Sequence, residues 1–452
     1  MTEPDPTAEQ SPGQTTGHPS GPTADRDTGS ASGQKRGRPG LLAALGPGLL
    51  VAATGVGAGD LATAAFTGSQ LGTAVLWAVV VGAALKFALN EGIARWQLAT
   101  GETLLEGGAA RLGRAAAPLF LPYLLLWTFF VGSALMSACG AVTHAIVPVF
   151  DDPARGKLVF GIVHSILGAV LVTLGGFRFF ERIMGVCIAL MFTVVVITAA
   201  LLWPGTEAVA RGLFIPSIPA ADGQGTVWTV ALMGGVGGTL TVLCYGYWIR
   251  EKGRTGLGDL RACRVDLAAG YSMTAVFGVA MVIIGSTVVI SGKGSALIVV
   301  LAERLDGPLG ASGKWAFLIG AWGAVFSSLL GVWQSVPYLF ADCWRIHRTT
   351  RARSNGTQPP PSAALTETPA YRAYLLGITF VPMLGLLVSF REIQKLYAVI
   401  GALFIPALAL LLLIMNGRVR WLGQAKNSFL GNAALVAALA FFAWLAVSKW
   451  LS

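Results

Sequence analysis

Charge is what this sequence has least of. Asp, Glu, Lys and Arg make up 12% of its 452 residues, against 54% hydrophobic ones, whereas about a quarter charged is usual for a water-soluble domain. A soluble enzyme or a nucleic-acid-binding domain is thereby excluded. The formal net charge of +10 arises from basic residues at the ends of apolar runs, where lipid topology puts them. Cysteine is scarce too. Cys139, Cys187, Cys244, Cys263 and Cys343 are scattered, without metal-type spacing, and read as small apolar packing residues. There is no phosphate loop of the Gly-x-x-x-x-Gly-Lys-Ser/Thr kind and no helix bearing paired metal ligands. No catalytic residue and no cofactor is implied, and transport has to be secondary or uncoupled.

Residues 1–40 hold almost no aliphatic side chains and cannot bury enough surface to offset chain entropy. They read as a disordered cytoplasmic tail without a cleavable signal peptide, with Lys35, Arg36 and Arg38 holding the start of the first span inside. Residues 41–452 read as one all-α, polytopic transmembrane domain. Eleven spans are expected, at about 46–70, 73–95, 117–147, 157–175, 182–202, 227–249, 267–291, 315–341, 372–389, 395–415 and 428–450. Most of the 32 Lys and Arg then fall on one side, including Arg178, Arg182 and the runs at 250–264 and 345–353. That bias predicts a multi-pass plasma-membrane protein with a cytoplasmic N-terminus and an extracellular C-terminus. Its partners are the lipid bilayer and a transported small ion or solute, and nothing indicates an oligomeric state.

Thr54-Gly55-Val56-Gly57-Ala58-Gly59-Asp60 lies in the middle of the first apolar run. Irregular backbone at bilayer depth is tolerated only where protein or a polar cavity covers it, so an interrupted helix there marks a candidate binding site. Gly234-Gly235-Val236-Gly237-Gly238-Thr239 in the sixth run echoes it. The two lie five spans apart and cross in opposite directions, which implies a five-plus-five inverted repeat, about 46–202 and 227–415, with an extra helix at about 428–450. Unwinding at both places would bring backbone carbonyls and N–H groups of opposed half-helices to one cavity.

Several motifs resemble the Nramp family of divalent-metal transporters. They are Gly46-Pro47-Gly48, Gly68-Ser69-Gln70-Leu71-Gly72, Leu76-Trp77, Ala94-Arg95, Ala99-Thr100-Gly101-Glu102 and Arg178-Phe179-Phe180-Glu181-Arg182-Ile183-Met184. The resemblance implies the leucine-transporter-like fold with broken first and sixth helices, alternating access and a divalent cation as cargo. The family's Asp-Pro-Gly-Asn motif reads Gly57-Ala58-Gly59-Asp60 here, and its Met-Pro-His falls on Gly238-Thr239-Leu240. Its acidic pair in the third span falls near Ser133 and Ser137, and a Gln of the tenth span on Ala398. The chain thus resembles a distant Nramp-related branch. With the soft sulfur gone, a hard, partly hydrated ion such as magnesium or manganese suits the site.

A carboxylate at the bilayer centre costs about 2.5–3.5 kcal/mol on insertion scales, so Asp60 needs a partner. It either contacts substrate or caps the second half-helix of its own span. In the metal reading Asp60 supplies charge, while Gly57 and Gly235 offer carbonyls. Gly238 leaves room for water, and Thr54, Thr239 and Thr241 bond the hydration shell. Lys86, in the second span, either meets Asp60 or bonds elsewhere, and Glu91 has Arg95 four residues on along the same helical face. Asn90, His144, Ser327 and Ser328 join Lys86 and Glu91 as flanking or coupling candidates. If Lys86 neutralises Asp60, a small organic solute such as an amino acid becomes the alternative cargo. A non-transporting membrane sensor is the third reading.

Overall fold

The computed structural model describes residues 46–113, 116–175, 177–220, 223–288, 297–354 and 364–451. The tail at 1–40 lies outside them. The described chain is helical, and nine of its helices are long and apolar enough to cross a bilayer by length and composition. One of the nine, Asp60–Thr100, takes in the end of the first expected span and all of the second, while Phe429–Trp444 is a shorter apolar helix. The expected eleven is therefore matched in the placing of helices but not in the count of full-length spans.

Burial separates the centre from the rim. In the sixth span, Gln224–Glu251, 89% of the most apolar stretch is buried, against 28% in the fourth, Pro153–Leu174. An apolar helix that is buried all round has no lipid face, so the sixth span is the axis of the fold. It breaks where the glycines predict. An α-helix over Gln224–Gly235 ends, Gly237 and Gly238 adopt φ of 69° and 86°, and a 3-10 turn, Leu240–Leu243, leads into a second helix, Cys244–Glu251. That left-handed region is open to glycine at little cost.

The first span departs from expectation. Pro47–Gly55 and Ala64–Leu71 are α-helical, but Val56–Thr63 between them is a π-helix, wound more loosely rather than unwound. π segments tend to occur at functional sites. Gly55 lets the two central spans meet backbone to backbone, since a Cβ there would lie 2.2 Å from the Gly238 nitrogen. The start of the first span is held by Asp266 of the seventh, Leu260–Ser286, whose carboxylate accepts from Gly46 N–H at 2.9 Å and Gly48 N–H at 2.8 Å. A carboxylate on the orphan amides of a helix N-terminus is a stabilising arrangement.

Candidate functional site

The π segment and the sixth-span break face each other. Asp60 is completely buried, and its carboxylate receives the Gly237 N–H at 3.3 Å on Oδ1 and 3.2 Å on Oδ2. It does not cap its own helix, because the residues on both sides of the π segment keep helical dihedrals and leave no N-terminus there. Asp60 instead ties the first span to the turn in the sixth.

Lys86 resolves the open alternative. Its side chain, fully buried in the helix Leu76–Thr100, donates to three main-chain carbonyls of the break: Gly234 at 2.9 Å, Val236 at 2.6 Å and Gly238 at 2.5 Å. An ammonium has three donors, so all of them are used. These carbonyls lie at the C-terminal, electronegative end of the helix Gln224–Gly235, where a cation is favoured. Among the described residues no ion pair joins Lys86 to Asp60. The two charges compensate across the site without touching.

The remaining candidates divide. The Gly57 amide donates to Ser328 Oγ at 2.7 Å, which ties the π segment to the eighth span. Gly235 O accepts the Gly238 N–H within the turn at 3.2 Å, so the neighbouring carbonyls face Lys86 in its place. Thr239 Oγ1 accepts from Trp127 Nε1 at 2.7 Å. Thr54 bonds Val51 O in its own helix and packs its methyl group against Gly331 of the eighth span. Ser327 likewise bonds its own helix at Ala324 O. Glu91, the residue after Asn90, pairs with Arg95 and, at 2.8 Å, with Arg264. His144 packs against Gly156, far along the third span from the break.

Three buried oxygens near the break have no hydrogen-bond partner among the described residues: Asn90 Oδ1, Thr241 Oγ1 and Thr274 Oγ1. Thr241 lies beside Gly238 and Thr274 beside Gly237, while Asn90 donates through its amide nitrogen to Tyr271. Tyr271 and Thr274 carried no signal in the sequence beyond a polar face on an apolar helix. With Asp60 they make a donor set of oxygens alone, and among the described residues there is no group of three or more His, Cys, Asp or Glu able to hold a metal. Oxygen donors suit hard cations.

Asp60 and Lys86 are out of contact with solvent, and a cluster of side chains lies beyond them on either side. Farther along the first and sixth spans, Phe66 packs at a tilt against Trp228 and Phe390, with ring centroids 5.9 Å apart in each pair. Beyond this cluster lies a cavity of about 360 Å³ lined by Gln70, Gln224, Arg391 and Lys395 among others. At the opposite end Glu106 binds Arg250 at 2.9 Å and also Arg345, while Asp342 takes Arg345 at 2.5 Å, Thr103 Oγ1 at 2.8 Å and Tyr247 OH at 2.7 Å. This network latches the ends of the second, sixth and eighth spans together.

Residues 48–452 match the family described as natural resistance-associated macrophage protein-like. The chain belongs to the Nramp family. It is 25% identical over 285 residues to an uncharacterized protein of Pasteurella multocida, covering 61% of this chain and 64% of that one. It is 23% identical over 257 residues to the rice metal transporter Nramp3, covering 56% of this chain and 46% of the relative. The chain thus spans less than two thirds of the length of either relative. A mutant of the Eremococcus coleocola manganese transporter superposes with a TM-score of 0.67 at 17% identity, over 90% of this chain and 85% of that one. At that identity the likeness is one of fold, the leucine-transporter-like arrangement expected above.

Proposed function

We propose that this chain is a secondary carrier, not an enzyme, moving a divalent metal cation across the plasma membrane by alternating access around the crossing of the first and sixth spans. The observation that carries this reading is Asp60, a buried carboxylate aimed at a glycine-built break in a chain of the Nramp family. The rice and Eremococcus relatives are named for metal and manganese transport, which supports the same cargo here. The all-oxygen surroundings favour a hard ion such as magnesium or manganese. The halves at about 46–202 and 227–415 would rock about this site, with the helix at about 428–450 added outside and the 1–40 tail in the cytoplasm. The N-terminus would be cytoplasmic and the C-terminus extracellular.

The organic-solute reading gains nothing from Lys86, because its three donors are spent on carbonyls and none remains for a ligand's carboxylate. Proton coupling through the family's acidic pair in the third span is not open to this chain, because hydroxyls stand near those positions. Ser133 bonds Phe129 O and Pro382 O, and Ser137 adds only a hydroxyl. Uptake of Mg²⁺, Mn²⁺ and Ca²⁺ into proteoliposomes, with internal pH followed, tests the proposal. Uptake of Mg²⁺ or Mn²⁺ with a flat pH trace is expected. No uptake of any of the three by folded protein would refute it.

A further inference from the structure

We infer that the Lys86 ammonium is a tethered competitor of the transported cation: ion and ammonium take turns on the carbonyls of Gly234, Val236 and Gly238. This rests on the cation-carrier reading above. The carbonyl cage at the break is what a cation would enter, and the ammonium already fills it through three hydrogen bonds. Two cations cannot share so small a cage, since like charges a few ångströms apart in a poorly screened interior repel strongly. Entry of the ion therefore requires the ammonium to leave, and the four-carbon stem of lysine gives it reach.

A receiving position exists. Asn90 lies four residues on along the same helix, on the same face, completely buried, with Oδ1 unpartnered among the described residues. The displaced ammonium moves one turn toward it. The incoming ion then has the three carbonyls, the Asp60 carboxylate and the hydroxyls of Thr241 and Thr274 close by. In the absence of cargo, Lys86 keeps the carbonyls satisfied and the second span joined to the broken sixth, so the empty carrier stays closed.

Calorimetric titration of the purified full chain with Mn²⁺ and Mg²⁺ tests this, with a thermal melt of each variant alongside. Lys86→Met is expected to melt lower than wild type yet bind the ion at least about tenfold more tightly. Lys86→Arg keeps a cation in place and is expected to bind no more tightly than wild type. A group that only braced the fold would give the same lower melt for Lys86→Met but weaker binding. Should Lys86→Met not fold, Asn90→Asp provides the second test, because an anionic receiving group is expected to tighten ion binding. Unchanged or weaker binding in Lys86→Met, or in Asn90→Asp where only that variant folds, overturns the inference while leaving the carrier reading intact. Failure of the wild type and every folded variant to bind either ion overturns both.

Discussion

Gly55→Ala asks the most of the packing between the two central spans. The added Cβ would lie 2.2 Å from the Gly238 nitrogen and 2.5 Å from the Gly237 carbonyl carbon. Both are backbone atoms, so no side chain can turn aside and the spans themselves must separate. Overpacking a tight interior costs about 1–3 kcal/mol, and with a backbone obstacle the upper end, about 3 kcal/mol, is expected. The separation also pulls Gly237 away from Asp60 and the carbonyls away from Lys86, so transport falls with stability. Gly185→Ala is the control. It lies in the helix Phe177–Leu201 with nothing within 4 Å of the new Cβ, and alanine is the better helix former by about 1 kcal/mol. Melting of the detergent-solubilised variants followed by tryptophan fluorescence, paired with liposome uptake, measures both effects. Gly55→Ala is expected to melt lower by several degrees and to lose uptake, while Gly185→Ala matches or exceeds wild type. A Gly55→Ala protein with wild-type melting and uptake would refute the close crossing.

Two further outcomes concern charged clusters away from the site. Glu91→Gln removes the anion from buried Arg95 and from Arg264, and breaking a buried pair costs about 3–5 kcal/mol. Because Arg95 also bonds Lys426 O and Asn427 Oδ1, the lower end is expected in a denaturant or thermal melt, and an unchanged melt would contradict the pairing. At the latch, burial pushes the Glu106 carboxyl up, but the Thr103 N–H, Arg345 and Arg250 outweigh it and hold the group below the usual carboxylate range. A depressed folded value means that the latch contributes fully above the unfolded pKa, about 4.3, and that its contribution is lost as pH falls through the lower folded value. The wild type should therefore lose melting temperature on acidification below about pH 4 more steeply than Glu106→Gln, and equal slopes would show that Glu106 is not the group responsible.

Most of the fold was legible because it depends on local composition. Apolar runs, the basic bias of their ends and the glycines of the sixth span predict helices and a break that the structure contains, since two of those glycines take φ values that other residues resist. The first span's α-helix is interrupted where its glycines predict, but by a π segment and not by unwinding, for a physical reason. Glycine at every second position from 55 to 59 permits unwinding but does not compel it, and the close approach of Gly238 to Gly55 and of Ser328 to Gly57 leaves no room for an extended chain, only for a looser helix. Asp60 was recognisable as a carboxylate at bilayer depth, but its partner was not, because a backbone amide has no sequence signature. The same holds for Lys86, whose three acceptors are all main-chain carbonyls. Asp266 went unread among the charges that follow the sixth span, although it is the group that anchors the start of the first.

The most direct test of a cation site built on Asp60 is Mn²⁺ uptake by Asp60→Asn beside wild type, in liposomes of matched protein content, with a melt to show that the variant is folded. Asparagine keeps an oxygen for the Gly237 N–H but removes the charge that offsets the ion, so a loss of at least about tenfold in uptake is expected. Wild-type uptake by folded Asp60→Asn would contradict the proposed site.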